Sequence, residues 1–200
     1  MTPAHIYEQI PGFFSFRRLY DQAVAEAAPG SVLVEVGVLF GRSLAYLAVE
    51  AARAAKGLRV VGLDSFDWPP GTQVPGVPPI PREGHEAAAR RYLAPLGSLV
   101  TLVRASSADG AAHQRILGGA PVSFVFLDGA HDRASVWADC RVWWPRVMPG
   151  GVLAGDDFSM AEVAQGVAMW AATARDVAHL DYVPAPEGWA AWRARKKVPR

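Results

Sequence analysis

Asp128, His131, Asp156 and Asp157 are the residues of this chain whose types and spacing could do chemistry together. In FVFLDGAHDRASVWADCRVWWPRVMPGGVLAGDDF, residues 124–158, a buried strand ends in Asp128, a helix follows, a Pro-Gly-Gly stop ends the helix, and a second strand ends in Asp156 and Asp157. If the two strands are parallel neighbours, the carboxylates meet at the carboxyl edge of a sheet, where open α/β sheets hold their ligands. Carboxylates crowded without a cation repel and raise each other's pKa. A Mg²⁺-like ion on Asp128, Asp156 and Asp157 relieves this, since hard divalent cations take oxygen ligands. His131 stands three residues after Asp128, and an imidazole beside such an ion could take the proton of a substrate hydroxyl. Asp128 is the alternative base. The bland readings are a histidine that packs or caps the helix it precedes, and an acid pair that caps the helix beginning near Ser159.

A second group of residues has the chemistry of a nucleotide-type ligand. Glu35-Val-Gly37-Val-Leu-Phe-Gly41-Arg-Ser43 follows a β-branched run, and its glycines allow a tight turn and close backbone approach at the start of a helix. The order is neither the dinucleotide fingerprint nor a phosphate-binding P-loop. The acid Glu35 suits a ligand carrying an ammonium group. Asp64-Ser65-Phe66 ends the next strand, roughly twenty residues on, where an acid can accept hydrogen bonds from both hydroxyls of a ribose. Ser106 and Ser107 after a third strand could bond an adenine edge, although Ser106, Ser107 and Asp109 could equally cap the next helix.

These residues need an alternating frame, and the chain supplies one. The pattern predicts helices over 13–28, 42–55, 83–95, 107–117, 132–147 and 159–178, strands over 31–36, 58–63, 99–103, 122–127 and 151–154, and a closing antiparallel pair, 180–183 with 189–194, around Pro-Ala-Pro-Glu-Gly. Alternation of this kind implies parallel strands and right-handed crossovers. We read an N-terminal helical cap over 1–28 and one α/β domain over 29–200. Trp68–Pro81 is too rich in proline for a helix or central strand, and it reads either as a lid over the carboxyl edge or as a passive loop. Trp68 and Phe158 would flank the site, whereas Trp137, Trp143, Trp144, Trp170, Trp189 and Trp192 are spaced as core or interface residues. His5, His85, His113 and His179 read as structural or solvated.

Composition excludes several classes. With 51% hydrophobic and 20% charged residues in 200, the chain can bury a sizeable core. Its formal net charge of +1 gives no pull toward nucleic acid or an anionic membrane, and Arg193–Arg200 reads as a solvated basic terminus. Cys140 is the only cysteine, so there is no intrachain disulfide and a reducing compartment is expected. With no signal-like apolar run at the N-terminus and no membrane-length segment, a cytoplasmic location is expected.

PGSVLVEVGVLFGRS, GLDSFDWPP and the LDGAH to GDDF block together resemble a class I S-adenosylmethionine-dependent methyltransferase. More narrowly, they are similar to the metal-dependent group of macrocin O-methyltransferase (TylF) and cephalosporin-hydroxylase-like proteins. The resemblance spans about residues 29–160. It implies a Rossmann-like, mostly parallel seven-stranded sheet of order 3-2-1-4-5-7-6 with helices on both faces. It also implies S-adenosylmethionine contacts at Glu35, Gly37, Gly41, Ser43, Asp64, Ser65 and Asp128, with adenine near Ser106 and Ser107, and metal ligands at Asp128, Asp156 and Asp157. The chain is shorter than many such proteins, and its Pro-rich loop does not match their usual lid.

The expected reaction is metal-assisted transfer of a methyl group to a hydroxyl of a small molecule, a sugar or diol, with His131 or Asp128 as base. The rivals are a metal-independent methyltransferase acting on another nucleophile, a nicotinamide-dependent oxidoreductase, and a non-catalytic binding module. A homodimer through Tyr7, Phe13, Phe14 and Phe16 would cover an otherwise apolar N-terminal surface.

Overall fold

The computed structural model describes residues 3–184 and 190–199, without the side chains of 110 and 111. Trp189 and most of the Pro-Ala-Pro-Glu-Gly turn lie outside the described residues.

The chain runs α1 (Arg17–Glu26), β1 (Val32–Val36), α2 (Arg42–Arg53), β2 (Arg59–Asp64), α3 (His85–Leu93), β3 (Val100–Arg104), α4 (Gly110–Leu117), β4 (Val122–Leu127), α5 (Arg133–Trp143), β5 (Val147–Gly155), α6 (Ala161–Ala171), β6 (Val177–Pro184) and β7 (Ala190–Lys196). The seven strands form one sheet of order β3-β2-β1-β4-β5-β7-β6. The joins from β3 across to β5 are parallel, and those of β7 with β5 and β6 are antiparallel, so the sheet is mixed. β1 and β4 are buried at every residue, as central strands covered on both faces must be. Alternation divides β1 between two cores: Leu33 joins the face covered by α1, α2 and α3, while Val32, Val34 and Val36 join the face covered by α4, α5 and α6. The chain order reverses between β1 and β4, which puts the topological switch point at their carboxyl ends.

Several boundaries differ from the sequence reading. α5 stops at Trp143 because Pro145 brings no amide hydrogen, and a 3₁₀ turn, Trp144–Arg146, completes the stretch. β5 is longer than expected and carries Pro149 and Gly150 through a register shift against β4. α6 ends at Ala171, and β6 starts early because it pairs along nearly its whole length with β7.

The first half of the basic run is not a solvated terminus, while residues 197–199 beyond it are exposed. Residues 193–196 are strand β7, with Ala194 fully buried. Arg193 bonds Asp181 at 2.9 and 3.1 Å, Arg195 bonds Glu26 and the Gly150 carbonyl, and Lys196 donates to the carbonyls of Trp144 and Val147. A charge run gives no hint of the strand pairing that ties it down.

The N-terminal segment packs into the first core. Tyr7 and Phe16 are buried, and Phe14 sits among Tyr7, Phe16, Tyr20 and Tyr46, so of the aromatic group only Phe13 is well exposed, at 61%. The Pro-rich segment is also tied down: Gly71 and Ile80 share a backbone bond at 2.7 Å, Ile80 is buried, and Phe13 lies against Gly76.

Candidate active site

Asp128 follows the last residue of β4, and its amide donates to the Val36 carbonyl at 2.7 Å. Asp156 follows β5, with its amide on the Leu127 carbonyl at 3.1 Å. The next residue, Asp157, adopts the left-handed conformation (φ 56°), which aspartate tolerates better than most residues. The Phe158 amide is anchored on Ala190 of β7, and the Met160 amide on the Asp157 carbonyl. Neither acid caps α6, whose first turn has no side-chain cap. On the β4 side, Asp132 caps α5 by accepting from the amides of Ala134 and Ser135. His131 thus stands just before the helix and is free to turn toward the acids.

Asp128, His131 and Asp157 each offer a ligand atom within 4.8 Å of the others. His131 Nε2 lies 3.0 Å from Asp157 Oδ2 and 3.6 Å from Asp128 Oδ1, yet this buried nitrogen makes no well-formed hydrogen bond to either. A nitrogen that approaches two carboxylates without lining up on either keeps its lone pair available beside them. Asp156, expected as a third ligand, stands beside this group rather than within it, lining a small pocket with His131, Asp139 and Trp192. The charges behave as crowding predicts. Burial and then the Asp128 charge push Asp156 up to about 7, and burial raises Asp128 against the downward pull of His131. The hydrogen-bonding reach of Asp128, together with the charges of all three acids, raises His131. The two converging carboxylates suit a hard divalent ion, with the imidazole standing beside it.

The other expected residues are distributed around the switch point. Gly37 (φ +86°) lets two loops meet: a Cβ there would lie 2.0 Å from the Asp128 carbonyl oxygen. Gly41 (φ +91°) performs the same service against the Leu93 side chain, at 2.8 Å. Asp64 accepts from the amides of Val38 (2.7 Å) and Leu39 (3.3 Å) on one oxygen and Phe66 (2.8 Å) on the other, so it clamps the glycine loop and keeps lone pairs for a ribose. Ser65 is half-buried beside it. Ser106 is exposed and accepts from the Ala108 amide, while Asp109 accepts from the Ala112 amide, which is the capping role. Ser107 accepts from the Trp143 indole at 3.0 Å and bonds Asp139.

Glu35 is buried on the first-core face. Tyr20 donates to one of its oxygens at 2.6 Å and Ser43 to the other at 2.9 Å. No local pattern announces Tyr20: it arrives on α1, and only the packing of that helix against β1 and β4 brings it there. Burial pushes the Glu35 carboxyl up to about 8. An acid with a raised folded pKa binds its proton more tightly folded than unfolded, so its stabilising contribution is complete at low pH and is lost as pH rises from about 4.5 to about 8. Glu35→Gln, neutral throughout and able to serve both hydroxyls, should flatten this part of the profile. It should leave the variant more stable than the wild type above pH 8 by on the order of 2 kcal/mol, read by urea unfolding across pH. Parallel profiles for the two proteins would contradict the buried-acid account.

His113 is buried against the Trp143 ring at 4.0 Å, His5 bonds Glu50 at 2.8 Å, and His179 pairs with Asp181 at 3.3 Å. Trp68 stacks on His85 at the β2–α3 side, and Phe158 packs into the second core. The tryptophans at 143, 144, 170 and 192 are core residues. No helix among the described residues is long and apolar enough to cross a membrane.

A family model described as a methyltransferase domain matches residues 34–158, from β1 through the Asp156-Asp157 pair. No curated protein matches the chain significantly in sequence. Among solved structures, the chain is similar to the O-methyltransferase from Bacillus cereus in complex with SAH, with TM-score 0.68 and 19% identity over 98% of this chain and 84% of that one. It is also similar to CalS11, a TDP-rhamnose 3'-O-methyltransferase of calicheamicin biosynthesis, with TM-score 0.62 and 20% identity over 88% and 76%. An rRNA methylase from Streptococcus thermophilus gives TM-score 0.64 and 13% identity over 93% and 98%. At these identities the likeness is one of fold.

Proposed function

Since the chain belongs to the methyltransferase-domain family, whose class I members depend on S-adenosylmethionine, we propose that it methylates a hydroxyl of a small molecule with the help of a divalent cation. The observation that carries this reading is the meeting of Asp128, His131 and Asp157 beside the β1–β4 switch point. S-adenosylmethionine supplies an electrophilic methyl group, and a divalent cation lowers the pKa of a hydroxyl it binds.

The chain's own residues do the rest. The glycine loop, clamped by Asp64, would receive the donor at the end of β1, with Glu35 buried behind it on Tyr20 and Ser43, while Asp128 and Asp157 would hold the cation at the ends of β4 and β5. His131 stands at the acceptor side of those acids and is the group we assign to the hydroxyl proton, its Nε2 having no settled partner of its own. No covalent enzyme intermediate is needed, so alignment and charge placement carry the acceleration. A sugar or vicinal diol suits a cation with two carboxylate ligands, and the net charge of +1 favours such an acceptor over RNA.

The test is methyl transfer from labelled S-adenosylmethionine to a panel of sugars, catechols and RNA, with and without chelator. Turnover of a diol that stops in EDTA and returns with Mg²⁺ is the expected result. Turnover unaffected by EDTA, or confined to RNA, would remove the metal-assisted O-methylation reading.

A further inference from the structure

We propose that His85 is a positioning residue for the cofactor loop, and that Trp68, stacked on its ring, ties the Pro-rich segment to that loop. His85 is the first residue of α3, is only 4% exposed, and lies with Nε2 3.0 Å from the Leu39 carbonyl oxygen. A carbonyl can only accept, so Nε2 donates. Nδ1 is buried without a partner, so ring contacts and this one bond orient the imidazole. The Trp68 ring lies over it at 5.4 Å and 14°, and Phe66 and Phe40 meet it edge-on at 5.0 and 6.1 Å.

The bond falls where the loop needs it. Leu39 has φ +51°, a left-handed conformation that a non-glycine residue keeps only when its surroundings impose it. Its amide is held by Asp64 and its carbonyl by His85, so the peptide units on both sides of Leu39 are anchored from different elements. α3 grips the loop twice more, through the Phe40–Tyr92 ring pair at 5.8 Å and through Leu93 against Gly41. His85 is the only one of these contacts that is polar and therefore directional. Trp68 is 45% exposed, so it covers the imidazole from outside and joins residues 66–70 to the same anchor. This inference rests on the reading that residues 37–41 receive S-adenosylmethionine, which His85 serves by holding the loop's shape rather than by touching the reaction.

His85→Leu should weaken S-adenosylhomocysteine binding about tenfold by calorimetry, the loss of a hydrogen bond that leaves a buried carbonyl unpaired. The rate at saturating donor should change less than about threefold, giving a split between KM and kcat. His85→Gln, whose amide nitrogen can reach the same carbonyl, should recover binding to within about threefold of wild type. Hydrogen exchange at residues 37–41 in the cofactor-free protein should quicken in the Leu variant and stay near normal in the Gln variant. Unchanged binding and exchange in His85→Leu, or a Gln variant that behaves like Leu, would overturn the proposal. A wild-type protein that takes up no S-adenosylhomocysteine would instead remove the cofactor reading, and exchange alone would still decide whether His85 anchors the loop.

Discussion

Asp157→Ala is expected to lower methyl transfer by about a thousandfold or more, while S-adenosylhomocysteine affinity stays within a few-fold of wild type. A cation contributes several kcal/mol by stabilising developing charge, and each 1.36 kcal/mol is about tenfold in rate. Asp157 supplies one of two carboxylates that converge with His131, and its left-handed backbone turns it toward the β4 end. Alanine in that conformation also brings strain of about 1 kcal/mol, so Asp157→Asn is the sharper variant: asparagine tolerates the same backbone and removes the charge. The Asn variant should fold with wild-type stability and remain inactive at Mg²⁺ levels that saturate the wild type, with partial recovery at much higher Mg²⁺. An Asn variant as active as wild type, chelator or not, would mean that the carboxylate holds no cation.

Gly37→Ala is expected to cost about 3 kcal/mol or more of folding stability and to abolish donor binding. Two independent penalties meet there. The positive φ of +86° disfavours any side chain, and the added Cβ would overlap the Asp128 carbonyl at 2.0 Å and the Gly129 amide nitrogen at 2.8 Å. Neither neighbour is a flexible side-chain end, since both belong to the backbone that follows β4. Relief would require β1 and β4 to move apart at the switch point. Urea unfolding and calorimetry with S-adenosylhomocysteine would measure both losses. Gly129→Ala, where the nearest atom to an added Cβ is 3.9 Å away, is the control expected to be nearly silent in stability. Equal stability of the Gly37 variant and wild type would show that the two loops are not tightly packed.

Much of the frame was legible because it depends on local signals. The apolar runs at 31–36 and 122–127 are buried strands since nothing but a doubly covered strand hides so many β-branched and aromatic residues in succession. The acids at 64, 128, 156 and 157 stand at strand ends, as their place after those runs required. Less legible were the features made by pairing. Arg193, Lys196 and their neighbours look like a charged tail until β7 is laid between β5 and β6. Ser106 and Asp109 serve α4, and Ser107 serves Trp143, because a hydroxyl after a strand can satisfy a helix, an indole or a ligand equally well.

Residue order determined the alternating frame, the carboxyl-edge position of the acids and the glycine loop, because hydrophobic period and turn chemistry act over a few residues. Tertiary structure alone decided that His131 rather than Asp156 joins Asp128 and Asp157, that Tyr20 reaches Glu35, and that Gly37 yields space to the β4 loop. Each of these depends on the ångström-scale approach of elements distant in the chain. Spacing along a sequence carries no information about such distances until the sheet and its covering helices are packed.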